Sequence, residues 1–134
     1  MEPINKEYFN MKTMIADYLE KGFLDNIIDM FKHDSSLYTF VGDLMTDRRL
    51  MVRIGISALI ETLKLEDPEN IRKAVPNILP NLKSQNPLSR GDAAYLLGII
   101  GHTDVIYLLE EMIKDEDANV RIIVKEAIEE IRRG

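Results

Sequence analysis

At 134 residues and 15.4 kDa the chain has the size of one domain, 1–134, able to bury roughly two-thirds of the surface its unfolded form exposes. With 46% hydrophobic and 30% charged residues it lies far from the disordered corner of composition, and without cysteine it excludes disulfides, thiolate zinc sites and cysteine nucleophiles. A formal net charge of −6, from 23 acidic against 17 basic side chains, makes nucleic acid an unfavoured partner, because affinity for phosphate backbones comes mainly from clustered Lys and Arg.

Met1-Glu2-Pro3-Ile4-Asn5-Lys6-Glu7 lacks the basic start and apolar core of a signal peptide. The longest strongly apolar stretch, Ala93 to Gly101, is about half of what a bilayer crossing needs. The expectation is a cytoplasmic protein with no membrane association.

Apolar residues recur at i, i+3, i+4, i+7 throughout, and no segment alternates as a half-buried strand would. A first helix opens near Asn5, carries Tyr8, Met11, Ile15, Tyr18 and Leu19 on one face, and stops at Gly22. Leu24, Ile27, Ile28 and Phe31 mark a shorter second helix. Asp34 or Ser35 caps a third, with Leu37, Phe40, Val41 and Leu44 as its stripe. Asp47 is expected to cap a helix with Val52, Ile56, Leu59, Ile60 and Leu63 in register. Asp67-Pro68 is expected to open the next, which carries Ile71, Val75, Ile78, Leu79 and Leu82. Asn86-Pro87 opens a sixth with Ala93, Leu96, Leu97 and Ile100. Thr103 opens Val105, Leu108, Leu109, Met112 and Ile113, and Asp117 opens Val120, Ile123, Val124, Ala127, Ile128 and Ile131. Eight helices joined by short turns are predicted.

Sliding the chain by about 31 residues lays Asn86-Pro87-Leu88-Ser89-Arg90 over Asp117-Ala118-Asn119-Val120-Arg121. Sliding it by about 37 lays Val52-Arg53, Leu59-Ile60 and Leu63 over Ser89-Arg90, Leu96-Leu97 and Ile100. A two-helix period of this length signals an α-solenoid.

On these residues the chain resembles the HEAT family, in particular its short variant known from phycobilin lyases. In that variant a helix begins Asp/Asn-Pro-x-Val-Arg and ends Leu-Gly-x-Ile-Gly. Asn86 to Gly101 matches closely, ending Leu97-Gly98-Ile99-Ile100-Gly101; Asp117 to Ile131 matches the first half; from Asp47 the match is looser, with Arg53 six residues after Asp47 while Arg90 and Arg121 stand four after their caps. The resemblance covers about residues 47–132. It implies an all-α superhelix with repeats over 46–134 and an N-terminal helical cap or divergent repeats over 1–45. It also implies that Arg53, Arg90 and Arg121 form a structural ladder of hydrogen bonds between neighbouring repeats.

No candidate chemistry rises above its ordinary reading. His33 and His102 fall in separate predicted turns, without an i, i+4 partner, so no metal or other cofactor is expected. Neither is followed by Glu, as the His-Glu dyads of HEAT-like di-iron hydroxylases require. Glu110, Glu111, Asp115, Glu116 and Asp117 lack the spacing of a calcium loop and suit a solvated helix end with caps for the next helix. Arg48, Arg49, Arg53, Arg72 and Lys73 could grip phosphate, as in HEAT-like DNA glycosylases, but Asp47, Glu66 and Glu69 intersperse them. Ser35, Ser36, Ser57, Ser84 and Ser89 have no nucleophile elbow, and the scattered glycines form no phosphate loop. No catalytic residue is assigned.

Surface remains. In a two-helix solenoid the second helices line the concave side, which makes Lys73, Asn77, Pro80, Tyr107, Glu110, Glu111 and Lys114 the expected groove residues. Tyr107, opposite its own apolar stripe, offers large contact area at low entropic cost. Pro76 and Pro80 are expected to bend the groove wall more than to bind. The last helix looks like half a repeat, with Ile122 off its stripe, so Ile122 and Ile123 are candidates for an interface with a second copy or another protein. The expected function is a non-enzymatic scaffold for a protein partner, alone or as a homodimer; the alternative is a small HEAT-like lyase or a nucleic-acid-binding, glycosylase-type protein.

Overall fold

The computed structural model describes residues 6–134; the expected helix opening near Asn5 lies outside them. The described residues are all-helical. Eight α-helices run in the order α1 (Lys6–Glu20), α2 (Leu24–His33), α3 (Val41–Leu44), α4 (Leu50–Glu66), α5 (Val75–Ile78), α6 (Pro87–Ile100), α7 (Ile106–Glu110) and α8 (Ala118–Arg133). Four 3₁₀ segments accompany them: Ser35–Phe40 before α3, Ile71–Ala74 and Leu79–Lys83 around α5, and Thr103–Val105 before α7.

Several local signals act as the sequence predicts. Gly22 and Gly101 take left-handed φ values of 86° and 77° where α1 and α6 end. The Asp34 carboxylate accepts from Ser36 N, the Asn86 side chain from Leu88 N, and the Asp117 carboxylate from Val120 N. Other openings differ. The cap of α4 is Arg49, not Asp47; Asp47 lies two residues outside and its carboxylate accepts from Arg49 N at 2.9 Å, an Asx turn that delivers the chain into the helix. Asp67 closes α4 instead of opening the next helix, and Ile71 begins that segment only after a turn. His102, rather than Thr103, caps its segment, accepting from Asp104 N.

The helix expected over 71–83 is broken into a 3₁₀ turn, a four-residue α-helix and a second 3₁₀ turn. Pro76 and Pro80 explain this, because each removes an N–H donor and its ring crowds the carbonyl four residues back, which disfavours a continuous i→i−4 ladder. Side chains hold the segment instead. Lys73 Nζ donates to Ser35 Oγ at 2.6 Å, Asn77 Nδ2 to Thr39 O at 2.7 Å and Asn81 Nδ2 to Gly42 O at 3.0 Å. Residues 73, 77 and 81 share one helical face, so these bonds form a polar seam with the Ser35–Leu44 stretch.

Contacts follow chain order. α4 packs against α1, α2 and α6, and α6 packs most extensively against α8. Their meeting faces are the predicted stripes: Ile15 and Leu19 of α1, Ile56, Leu59, Ile60 and Leu63 of α4, Leu96 and Leu97 of α6, and Val124 and Ile131 of α8 are all buried. Each such side chain taken fully from water contributes roughly 1.5–3 kcal/mol. Tyr38 is fully buried as well, its ring edge-on to Phe31 at 5.1 Å and its hydroxyl donating to Asp67 at 2.8 Å. Among the described residues no helix is long and apolar enough to cross a membrane.

Candidate functional site

The three arginines share one construction. Arg53 Nη1 donates to Asp47 O at 2.7 Å, Arg90 Nη1 to Ser84 O at 2.9 Å and Arg121 Nη1 to Asp115 O at 2.7 Å. Each reaches the carbonyl six residues earlier, and each stands four residues after its helix cap, Arg49, Asn86 or Asp117. The offset expected for Arg53 therefore disappears once the cap is placed correctly. The accepting residues also share a second role: Asp47, Ser84 and Asp115 take the backbone N–H two residues on through their side chains.

These bonds lie within each turn, whereas the resemblance implies rungs between repeats. Of the three, Arg90 also reaches into the next turn. Arg90, only 8% exposed, donates from Nε and Nη2 to the two oxygens of Asp115, both at 3.0 Å, and the guanidinium holds that carboxyl below the usual carboxylate range. Arg49 makes a comparable bridge that the sequence did not reveal, from Asp47 to Asp17 and Glu20 on α1.

The predicted groove residues are all exposed but do not converge. Lys73 and Asn77 are occupied by the polar seam. Pro80 and Glu111 do meet, lining with Pro76, Leu79, Leu108 and Met112 a cleft of about 460 Å³. Tyr107 is 63% exposed, and Glu110 pairs with Arg132 at 3.7 Å. Neither these two nor Lys114 lines that cleft.

A larger convergence lies across α4, α6 and α8. Ile54, Leu88, Tyr95 and Ile122 are each between 44% and 55% exposed. Three adjoining depressions of about 380, 440 and 460 Å³ lie along this face, and Ile123 lines all of them. Glycine shapes the floor: a Cβ at Gly91 would stand 3.1 Å from Ile123 Cδ1, and one at Gly98 would stand 2.9 Å from Ala127 Cβ, so α6 and α8 approach closely there. Ile122 and Ile123, picked from sequence, thus sit on a face whose other members were missed. The available signal was the repeat itself, since Ile54, Gly91 and Ile122 align at the same offsets as the arginines.

Asp92 sits among these apolar groups, half-buried, lining two of the three depressions and accepting no hydrogen bond among the described residues. Burial pushes its carboxyl up, partly offset by the charge of Arg53. The folded chain then binds more protons at this group than the unfolded chain, so stability falls as pH climbs from about 3.8 through the folded value and the deficit persists at neutral pH. Asp92→Asn should accordingly raise the thermal midpoint at pH 7, with the gain shrinking below pH 3.8. Melting curves across pH check this, and a neutral-pH loss on substitution would mean that the carboxylate is stabilised by its surroundings. Tyr95, on the same face, donates to Glu61 at 2.5 Å, and its hydroxyl is pushed up to about 12 by that bond and by burial.

Compared with protein-family models, with curated proteins and with solved structures, the chain finds no match.

Proposed function

We propose that the chain is a non-enzymatic, HEAT-like repeat scaffold that holds a protein partner. The observation that carries this reading is the set of half-exposed apolar side chains over α4, α6 and α8, because solvent-facing Leu, Ile and Tyr gathered around shared depressions mark interaction surfaces. The threefold turn-and-arginine construction supports the HEAT-like reading, since it places the start of α4, α6 and α8 in equivalent local geometry. The cleft between the Leu79–Lys83 turn and α7 supports a second surface, on the side where the resemblance expects the groove.

Site-specific photo-crosslinking in the producing cell separates the surfaces. A photoreactive residue at Leu88 or Tyr95 should join the chain to another polypeptide, while one at Asn26, exposed on α2, should not. Crosslinks from Tyr107 alone would move the site to the groove side. Adducts at twice the chain's mass would make the partner a second copy, and none from any position would sink the scaffold reading.

A further inference from the structure

We infer that the α4–α6–α8 face takes a cationic amphipathic helix of the partner, with its apolar side chains over Ile123 and a Lys or Arg at Asp92; this rests on the scaffold reading above. The apolar half of the argument is the run of half-exposed side chains on both sides of Ile123. Depressions between packed helices accept the i, i+3, i+4, i+7 anchors of another helix.

Charge selects the kind of helix. The carboxylates lining the three depressions are Glu61, Asp92, Asp117, Glu126 and Glu130, against a single lining lysine, Lys64. The Lys64 ammonium already donates to Ile100 O at 2.8 Å, and Arg53, the cation acting on Asp92, is tied to Asp47 O. Asp92 therefore offers free acceptor capacity in a partly desolvated setting, where a hydrogen bond from a cation is about twice as strong as a neutral one. A second copy fits less well, because a two-fold pairing brings like carboxylates together and the chain's net charge of −6 adds to the repulsion. The same charges repel nucleic acid and anionic lipid.

The test uses the whole chain and two labelled peptides, one of Leu and Lys in helical period and its Leu/Glu twin, read by fluorescence anisotropy. The Lys peptide should bind and the Glu peptide should not. Asp92→Lys and Ile122→Lys should each weaken binding about tenfold or more, whereas Asp25→Lys, exposed on α2, should leave it unchanged; circular dichroism confirms that each variant is folded. The inference is overturned by failure of the Lys peptide to bind, by equal binding of both peptides, or by unaltered binding to the two face variants. It is also overturned if light scattering finds a dimer that Ile122→Lys dissociates, since the face then belongs to a second copy. Crosslinking from Leu88 and Tyr95 to another polypeptide despite peptide failure would retain the scaffold and remove only the cationic partner; loss of both results would remove both.

Discussion

Gly42→Ala should lower the thermal midpoint by about 10 °C, a net loss near 3 kcal/mol. A methyl group at that position would stand 1.9 Å from the carbonyl oxygen of Asn77 and 2.4 Å from its carbon. Both are backbone atoms, so no rotamer change relieves the overlap and α3 must move away from α5. That movement pulls on the polar seam at Asn77–Thr39 and Asn81–Gly42. Alanine is the better helix former by about 1 kcal/mol, which sets a sharp contrast of sign. If the variant is neutral or stabilised, the two segments do not approach as closely as described. Asn77→Ala, which removes one seam bond without adding bulk, should lose only about 1 kcal/mol.

Arg90→Met should be the most damaging of the arginine substitutions, with a fall in midpoint of about 10 °C, because truncating one partner of a buried pair strands the other. Methionine keeps most of the aliphatic volume but leaves Asp115 without its two guanidinium bonds, and the Ser84 and Gln85 carbonyls without their donor. Arg121→Met loses one bond, to Asp115 O, and should be milder. Acid separates the electrostatic share from the packing share. Since Arg90 depresses the Asp115 pKa, the stabilisation is present above the ordinary value of 3.8 and is lost as pH falls through the lower folded value. The gap between wild type and Arg90→Met should hence be full at neutral pH and narrow below about pH 4. A gap independent of pH would assign the loss to packing alone.

The helical stripes and several terminators were legible because they rest on local chemistry: apolar period, Asn86-Pro87, Asp117, Asp34 and Gly22. Asp47 misled because an aspartate just before an apolar run has the appearance of a cap, while the residue in the cap position, Arg49, has no acceptor with which to announce itself. Its role is visible only beside Ser84 and Asp115, each six residues before an arginine. The broken 71–83 segment was legible in Pro76 and Pro80, but the apolar stripe outweighed them in the reading. The face around Ile123 was the least legible part. Ile54 and Leu88 lie off their helices' core stripes, and a residue off one stripe is unremarkable until neighbouring helices place several such residues side by side.

Because each arginine closes onto a carbonyl of its own turn, each of α4, α6 and α8 carries its starting signal within seven consecutive residues, 47–53, 84–90 or 115–121. The successive starts lie about 37 and 31 residues apart in the sequence, yet the turns are alike; α4, at 17 residues against 14 for α6, takes up half of the difference, and the stretch from the helix end to the next turn takes up the other half. A few residues more or less in the helix or in the stretch after it thus leave the start of the next helix unchanged.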